Sequence, residues 1–464
     1  MSTSLSRARP RASVRAMRMA APVLLALPIV TAGAAHATDL LDIYKQAVNQ
    51  DARLSAAQAG FQAAEERRPQ AVSALLPQLN LGGQYAREEL DSTQEIDIDD
   101  DPNTDAVVQS QAGSFSTDGY TLRLDQVVYD HALILRLRQS GPSIAQAQAE
   151  LDAVAQGLIV RVSEAYFNVL AARDNLEFAR AEKNAIARQL EQAQEQFEVG
   201  VIAITDVKEA QAAFDRAIAQ VVDARNRLVL NREALRVITG EVAANLNRLG
   251  ETLPLVSPEP ADIDAWVATA MRRNLRLLAR EFATETADFE VGLRRARHYP
   301  SLGLFVEKSA NDTGGGIFGA SQIDDEVIGI ELNMPLFSGG FVSSRIEEAS
   351  YRLEQARDLE ELQRRETVRQ TRASYLSVIA GISQVTALRR ALESNQAATA
   401  AARVGFEVGT RTSLDVLLAL RELFRTQRDL SRARYDYLLD TLRLKQAAGT
   451  LSVEDLVALN AWLS

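Results

Sequence analysis

"FEVGTRTSLDVL", residues 406–417, is a polar turn set between two long alanine-rich segments, and "FEVGVIAITDVK", residues 197–208, makes the same turn earlier in the chain. Sliding the sequence over itself extends the match. Phe197, Gly200, Asp206, Val207 and Gly240 meet Phe406, Gly409, Asp415, Val416 and Gly449 at a constant spacing of 209 residues, and so do Tyr166 and Tyr375. Upstream, Asp51, Arg53, Leu54, Pro77 and Leu79 meet Asn274, Arg276, Leu277, Pro300 and Leu302 at a spacing of 223. The 14-residue difference falls in loops, where extra length costs little. The chain reads as one unit written twice, residues 38–248 and 262–464, joined by a linker over 249–261 that carries "LPLVSPEP". A structural repeat of this kind argues against a two-domain enzyme.

Each unit follows the order helix, short strand, loop, short strand, long helix, turn, helix. In the first long helix, Val162, Ala165, Val169, Ala172, Leu176, Ala179, Ile186, Leu190, Ala193 and Phe197 fall in steps of three and four, with Lys183 filling one register position. That is a coiled-coil period, and its many alanines let helices approach closely. A helix over roughly 140–198 reaches about 90 Å, while its partners over roughly 206–240 and 262–297 reach about 50 Å each. Two short helices stacked end to end therefore match one long one, so two long and four short helices suffice for a cylinder wall.

The strands alternate. Tyr120, Leu122 and Leu124 oppose Thr121, Arg123 and Asp125; Ile328, Ile330, Leu332 and Met334 oppose Gly329, Glu331 and Asn333. Leu79, Leu81 and Tyr85 oppose Asn80, Gly82 and Gln84, and Leu302, Leu304 and Val306 oppose Gly303, Phe305 and Glu307, with Phe305 the exception. Segments of about ten residues with one apolar and one polar face suit a transmembrane β-strand, although a soluble sandwich alternates in the same way. In a membrane the sheet has to close, because lipid offers no partner to an edge. Two chains of four strands make a bore that side chains fill, and three make a twelve-stranded barrel wide enough for a channel. A homotrimer is therefore expected.

Composition narrows the function. Residues 1–37 combine five arginines and no acid, the apolar "AAPVLLALPIV" and the small-residue site Ala35-His36-Ala37, which reads as a signal peptide. Without those five, 46 basic against 62 acidic residues leave −16, an unfavourable balance for nucleic acid or an anionic lipid surface. The chain has no cysteine, and beyond the signal only His131 and His298 remain. This excludes disulfides, thiolate metal sites and cysteine nucleophiles. No nucleophile elbow, phosphate loop or metal cluster is present, so no enzyme activity, cofactor or metal is expected. Glu164 and Glu182 read as members of solvated helix faces. No later segment has the roughly 18 apolar residues of a transmembrane helix.

The two turns, the segment "LSRARYDYLLDTLRLKQAAGTLSVEDLVALNAWL" and the placement of the strands together resemble the TolC family of outer-membrane channels. The resemblance covers essentially the whole chain after the signal. It implies a trimeric twelve-stranded barrel in the outer membrane, continued by a long periplasmic helical tunnel. Such proteins act as exit ducts for multidrug efflux and type I secretion, opened when a periplasmic adaptor and an inner-membrane pump dock. A trimeric adhesin is a rival, but its four strands run consecutively, whereas here helix separates two pairs. A soluble periplasmic coiled-coil scaffold is the other.

The same resemblance implies roles at the turns. Thr205, Asp206, Phe406, Arg411, Asp415 and Leu418 match gate positions; Val199, Gly200, Val201, Val408, Gly409 and Thr410 are the tips where an adaptor would dock. Arg411 matches the gate arginine, with Thr205 and Asp206 its partners. Asp415 would line the narrowest ring, where three carboxylates repel one another and attract cations. The family has a second acid where Leu418 stands and a tyrosine where Phe406 stands, so one acidic ring and one gate hydrogen bond are missing. On spacing alone, Thr412-x-x-Asp415 reads as a capping box, and the glycines as helix ends. Residues 91–105 and 310–326 read as mobile extracellular loops.

Overall fold

The computed structural model describes residues 38–96, 107–241, 245–250, 252–316 and 319–463. The expected signal peptide, residues 1–37, lies outside them. Three short helices come first, α1 (Leu40–Gln50), α2 (Ala52–Glu65) and α3 (Arg67–Ser73), where a single helix was expected. Strands β1 (Gln78–Ile96) and β2 (Val107–Tyr129) lead into α4 (His131–Glu198) and α5 (Ile204–Thr239). The pattern then repeats: α6 (Ile263–Arg273), α7 (Leu275–Ala296), β3 (Ser301–Thr313), β4 (Ser321–Asn333), α8 (Phe341–Glu407), α9 (Ser413–Ala447) and a final α10 (Val453–Asn460).

The repeat extends to single hydrogen bonds. Asp51 caps α2 by accepting from Leu54 N, and Asn274, its counterpart, caps α7 by accepting from Leu277 N. That Asn274 cap splits the expected helix over 262–297 in two. In contrast, α4 starts nine residues before the expected boundary and runs through Pro142, because Asp130 caps it at Ala132 N and Leu133 N. Packing against α7 holds this extension, with Gln139 Nε2 donating to Thr286 O at 3.0 Å.

At 68 and 67 residues, α4 and α8 are each about 100 Å long. The expected seam of α4 is buried from Val162 to Ala193, but Phe197 is 41 % exposed. Its counterpart Phe406 is covered by Leu420 and Phe424 of α9. The residues 209 positions earlier are Gln211 and Asp215, which give Phe197 no apolar cover. The main core sits halfway along the long helices. There Tyr166, Phe167 and Leu170 of α4 meet Leu438, Leu439 and Leu442 of α9, and Phe167 stacks on Tyr435 with centroids 5.7 Å apart. Glu182 corrects an expectation: it is 2 % exposed and pairs with Arg428 of α9 at 2.6 Å. Glu164 pairs across the same two helices, with Arg443 at 3.3 Å.

The four strands form one antiparallel sheet in the order β1-β2-β3-β4. Register puts Leu79, Leu124, Val306 and Ile328 in one row across it, as the alternation required. The opposite face carries Asn80, Arg123 and Glu307 in a row. Phe305 is accommodated on that polar face because Arg123 lies over its ring at 4.6 Å and Gly329 leaves room beneath it. A β-carbon at residue 329 would stand 2.6 Å from Phe305 Cζ.

Both expected loops are shorter than read from the sequence, and residues 314–316 and 319–320 remain outside the strands. Residues 91–96, 310–313 and 321–326 are strand, paired through Ile96↔Val107 and Thr313↔Ser321; residues 97–106 lie outside the described ones. Polar side chains hid these ends, because the ladder satisfies backbone groups whatever the side chains.

Candidate functional site: the two hairpin tips

Both long helices end in Phe-Glu-Val-Gly, and both close the same way. Gly200 N–H donates to Phe197 O at 2.9 Å and Val201 N–H to Gln196 O at 2.8 Å; Gly409 N–H donates to Phe406 O at 3.1 Å and Thr410 N–H to Gly405 O at 2.8 Å. Gly200 and Gly409 take φ of +79° and +77°, with open space where a β-carbon would stand. Conformation rather than crowding therefore demands glycine here. Val199, Val201 and Val408 are 74 %, 69 % and 68 % exposed, so each tip presents apolar side chains to its surroundings.

The return helices start differently. Thr412 and Asp415 form the expected capping box: Asp415 N–H donates to Thr412 Oγ1 at 3.2 Å, and Asp415 Oδ2 accepts from Thr412 N at 2.9 Å. The Thr412 N–H, then the Thr412 hydroxyl and more weakly Arg411, hold the Asp415 carboxyl below the usual carboxylate range. At the first tip the cap position is Ala203, which has no side-chain oxygen to offer. Asp206 sits in the first turn of α5, favoured by the helix dipole, with Thr205 exposed beside it.

Beneath the second tip Phe406 is buried with Ala185, Ala402, Val416, Leu420 and Phe424. Phe406 is thus part of the packing that supports the turn. Arg411 reaches Asp415 at 4.0 Å; among the described residues of one chain no ion pair joins it to Asp206. Leu418 is 53 % exposed and lines a groove of about 360 Å³ with Glu182, Arg216 and Leu414.

Three supports were not foreseen. Gly405 makes room for Arg411, whose Cγ would lie 2.7 Å from a β-carbon at residue 405. Gln189 Nε2 of α4 donates to Ser413 Oγ at 3.2 Å, tying the start of α9 to the first hairpin. The third is the Glu182–Arg428 pair. Only the glycine inside "VGFEVG" was visible as a signal; the other two need the helix packing to be known.

Among the described residues no helix is laid across either face of the sheet, and Leu79, Leu81, Ile328, Ile330 and Leu332 are each at least 66 % exposed. No helix among the described residues is long and apolar enough to cross a membrane. An apolar sheet face left open, standing on two long helical hairpins, defines a protomer of a β-barrel membrane channel. The chain belongs to the family described as Outer membrane efflux protein, which matches residues 43–241 and 266–450. It is 36 % identical over 452 residues to the outer membrane protein TolC of Vibrio cholerae, covering 96 % of this chain and 99 % of that one. It is 32 % identical to the alkaline protease secretion protein AprF of Pseudomonas aeruginosa, covering 91 % and 86 %. The CmeC outer membrane channel of Campylobacter jejuni shares the fold with a TM-score of 0.74 at 15 % identity, over 92 % of this chain and 90 % of that one. The family is one of channels rather than enzymes, and its location is the outer membrane, with the helices in the periplasm.

Proposed function

We propose that three copies of this chain, after removal of residues 1–37, close a twelve-stranded barrel that serves as an outer-membrane exit duct for efflux, type I secretion or both. The observation that carries this reading is the sheet. Among the described residues its β1 and β4 edges are unpaired and its apolar face is bare, which lipid tolerates only in a closed barrel. A soluble scaffold would have to leave that face in water, and an adhesin would not split its strands by α4 and α5. Residues 38–248 and 262–464 are then two copies of one unit, and 249–261 is their linker.

The six tips of a trimer form the periplasmic gate. Arg411 of one hairpin faces Thr205 and Asp206 of its neighbour, Asp415 supplies the single acidic ring, and Leu418 replaces the second. Phe406 supports the ring from below. Val199, Gly200, Val201, Val408, Gly409 and Thr410 take a periplasmic adaptor, which couples the duct to an inner-membrane pump. The pump supplies the energy, and this chain carries no catalysis.

Two measurements test this. The detergent-solubilised protein has the mass of a trimer; a monomer overturns the closure. Arg411→Ser and Asp206→Ala trimers conduct more than wild type in planar bilayers. Each exposed contact is worth only about 0.2–1 kcal/mol, but symmetry repeats it three times. Unchanged conductance in both variants removes the gate assignment.

A further inference from the structure

The linker walls a cavity that the channel reading leaves unused. It has a volume of about 290 Å³ and is lined by Trp266 of α6, Val378 of α8, Tyr437 and Leu442 of α9 and Trp462 beyond α10. That size lies at the lower end of small-molecule sites, which span about 300–1,000 Å³. The stretch of linker that lines it, Val256 to Glu259, is pinned at Val256 and at the adjoining Pro260. Tyr437 Oη accepts from Val256 N–H at 2.9 Å and donates to Val256 O at 3.0 Å, and Trp266 Nε1 donates to Pro260 O at 2.9 Å. Aromatic walls held apart in this way are a preformed apolar slot.

The rim gives the slot a charge preference. Lys445 is already paired with Asp455. Glu259, exposed at the mouth, has no ion-pair partner among the described residues. One uncompensated carboxylate beside two indole rings and a phenol attracts a cation, since the faces of such rings are themselves electronegative.

We propose that this cavity binds small aromatic cations, at a site separate from the tips. Trp266 and Trp462 are the chain's two tryptophans and both line it, so the whole tryptophan emission reports on the site. The experiment titrates the full-length protein in detergent with 1-naphthylmethylammonium, with 1-naphthylmethanol and 1-naphthoate as neutral and anionic controls. The expected result is saturable quenching, with the cation bound about tenfold more tightly than the alcohol and the anion weakest. Glu259→Gln, at an exposed position, removes the preference for the cation while leaving the alcohol unchanged. Ala458→Phe, which fills the mouth, abolishes saturation for all three. Linear quenching throughout, saturation that survives Ala458→Phe, or a cation preference that survives Glu259→Gln overturns the proposal. So does a flat titration of the wild-type trimer, which would mean that a neighbouring copy fills the cavity.

Discussion

Asp51 shows how much one side chain does. It caps α2 through Leu54 N–H, and it receives two bonds from Arg161 of α4, at 2.8 and 3.0 Å. Burial alone would raise its pKa, but the Arg161 and Leu54 hydrogen bonds and the charges of Arg161 and Arg53 outweigh it, so the carboxyl sits below its usual range. A depressed carboxylate stabilises the fold above its unfolded value, about 3.9, and that contribution is lost as pH falls through the lower folded value. Asp51→Asn keeps the cap, as Asn274 does in the second unit, but strands Arg161. It is expected to lower thermal stability at neutral pH by up to about 3–5 kcal/mol and to flatten the dependence below about pH 4. Asp51→Ala costs about 1 kcal/mol more through the lost cap. Melting curves in detergent between acid and neutral pH check both. Matching the two units paired Asp51 with Asn274, but not as caps: the helix was expected to run straight through Asn274. Nor was the ion pair readable, because Arg161 lies 110 residues away.

At the scale of elements, the helices were legible and the strand ends were not. A seam of period 3.5 is local information, and from Val162 to Ala193 it predicted burial correctly. Strand ends depend on ladder pairing with another segment, which polar side chains neither announce nor prevent. Glu182 was misread for a related reason: an acid on a helix face looks solvated until the partner helix is known. Its pairing with Arg428 bolts α4 to α9 between the main core and the tips. Glu182→Ala leaves the Arg428 charge unpaired, and a loss of about 3–5 kcal/mol is expected in the thermal melt. The double variant Glu182→Leu with Arg428→Met recovers most of it. A double variant no better than Glu182→Ala would show that the pair contributes something other than charge compensation.

At the scale of the molecule, the sequence predicted the architecture because it wrote the unit twice. Four alternating strands, two long hairpins and matching turns constrain one another more tightly than any one of them alone. What stayed hidden lies where distant segments meet: the tie from Gln189 to Ser413, and a cavity whose walls come from residues 256 to 462.

The bare edges of β1 and β4 also have a genetic consequence. If each copy lends one rim to the next, every ring contains three seams, and spoiling one of them ruins all. A copy with a damaged β1 rim and a sound β4 rim can still join, and so can poison its companions. Co-expressed in equal amounts with the normal gene, it would leave only about one ring in eight wholly normal. Such an allele would therefore be dominant, whereas outright deletion of one gene copy would be recessive.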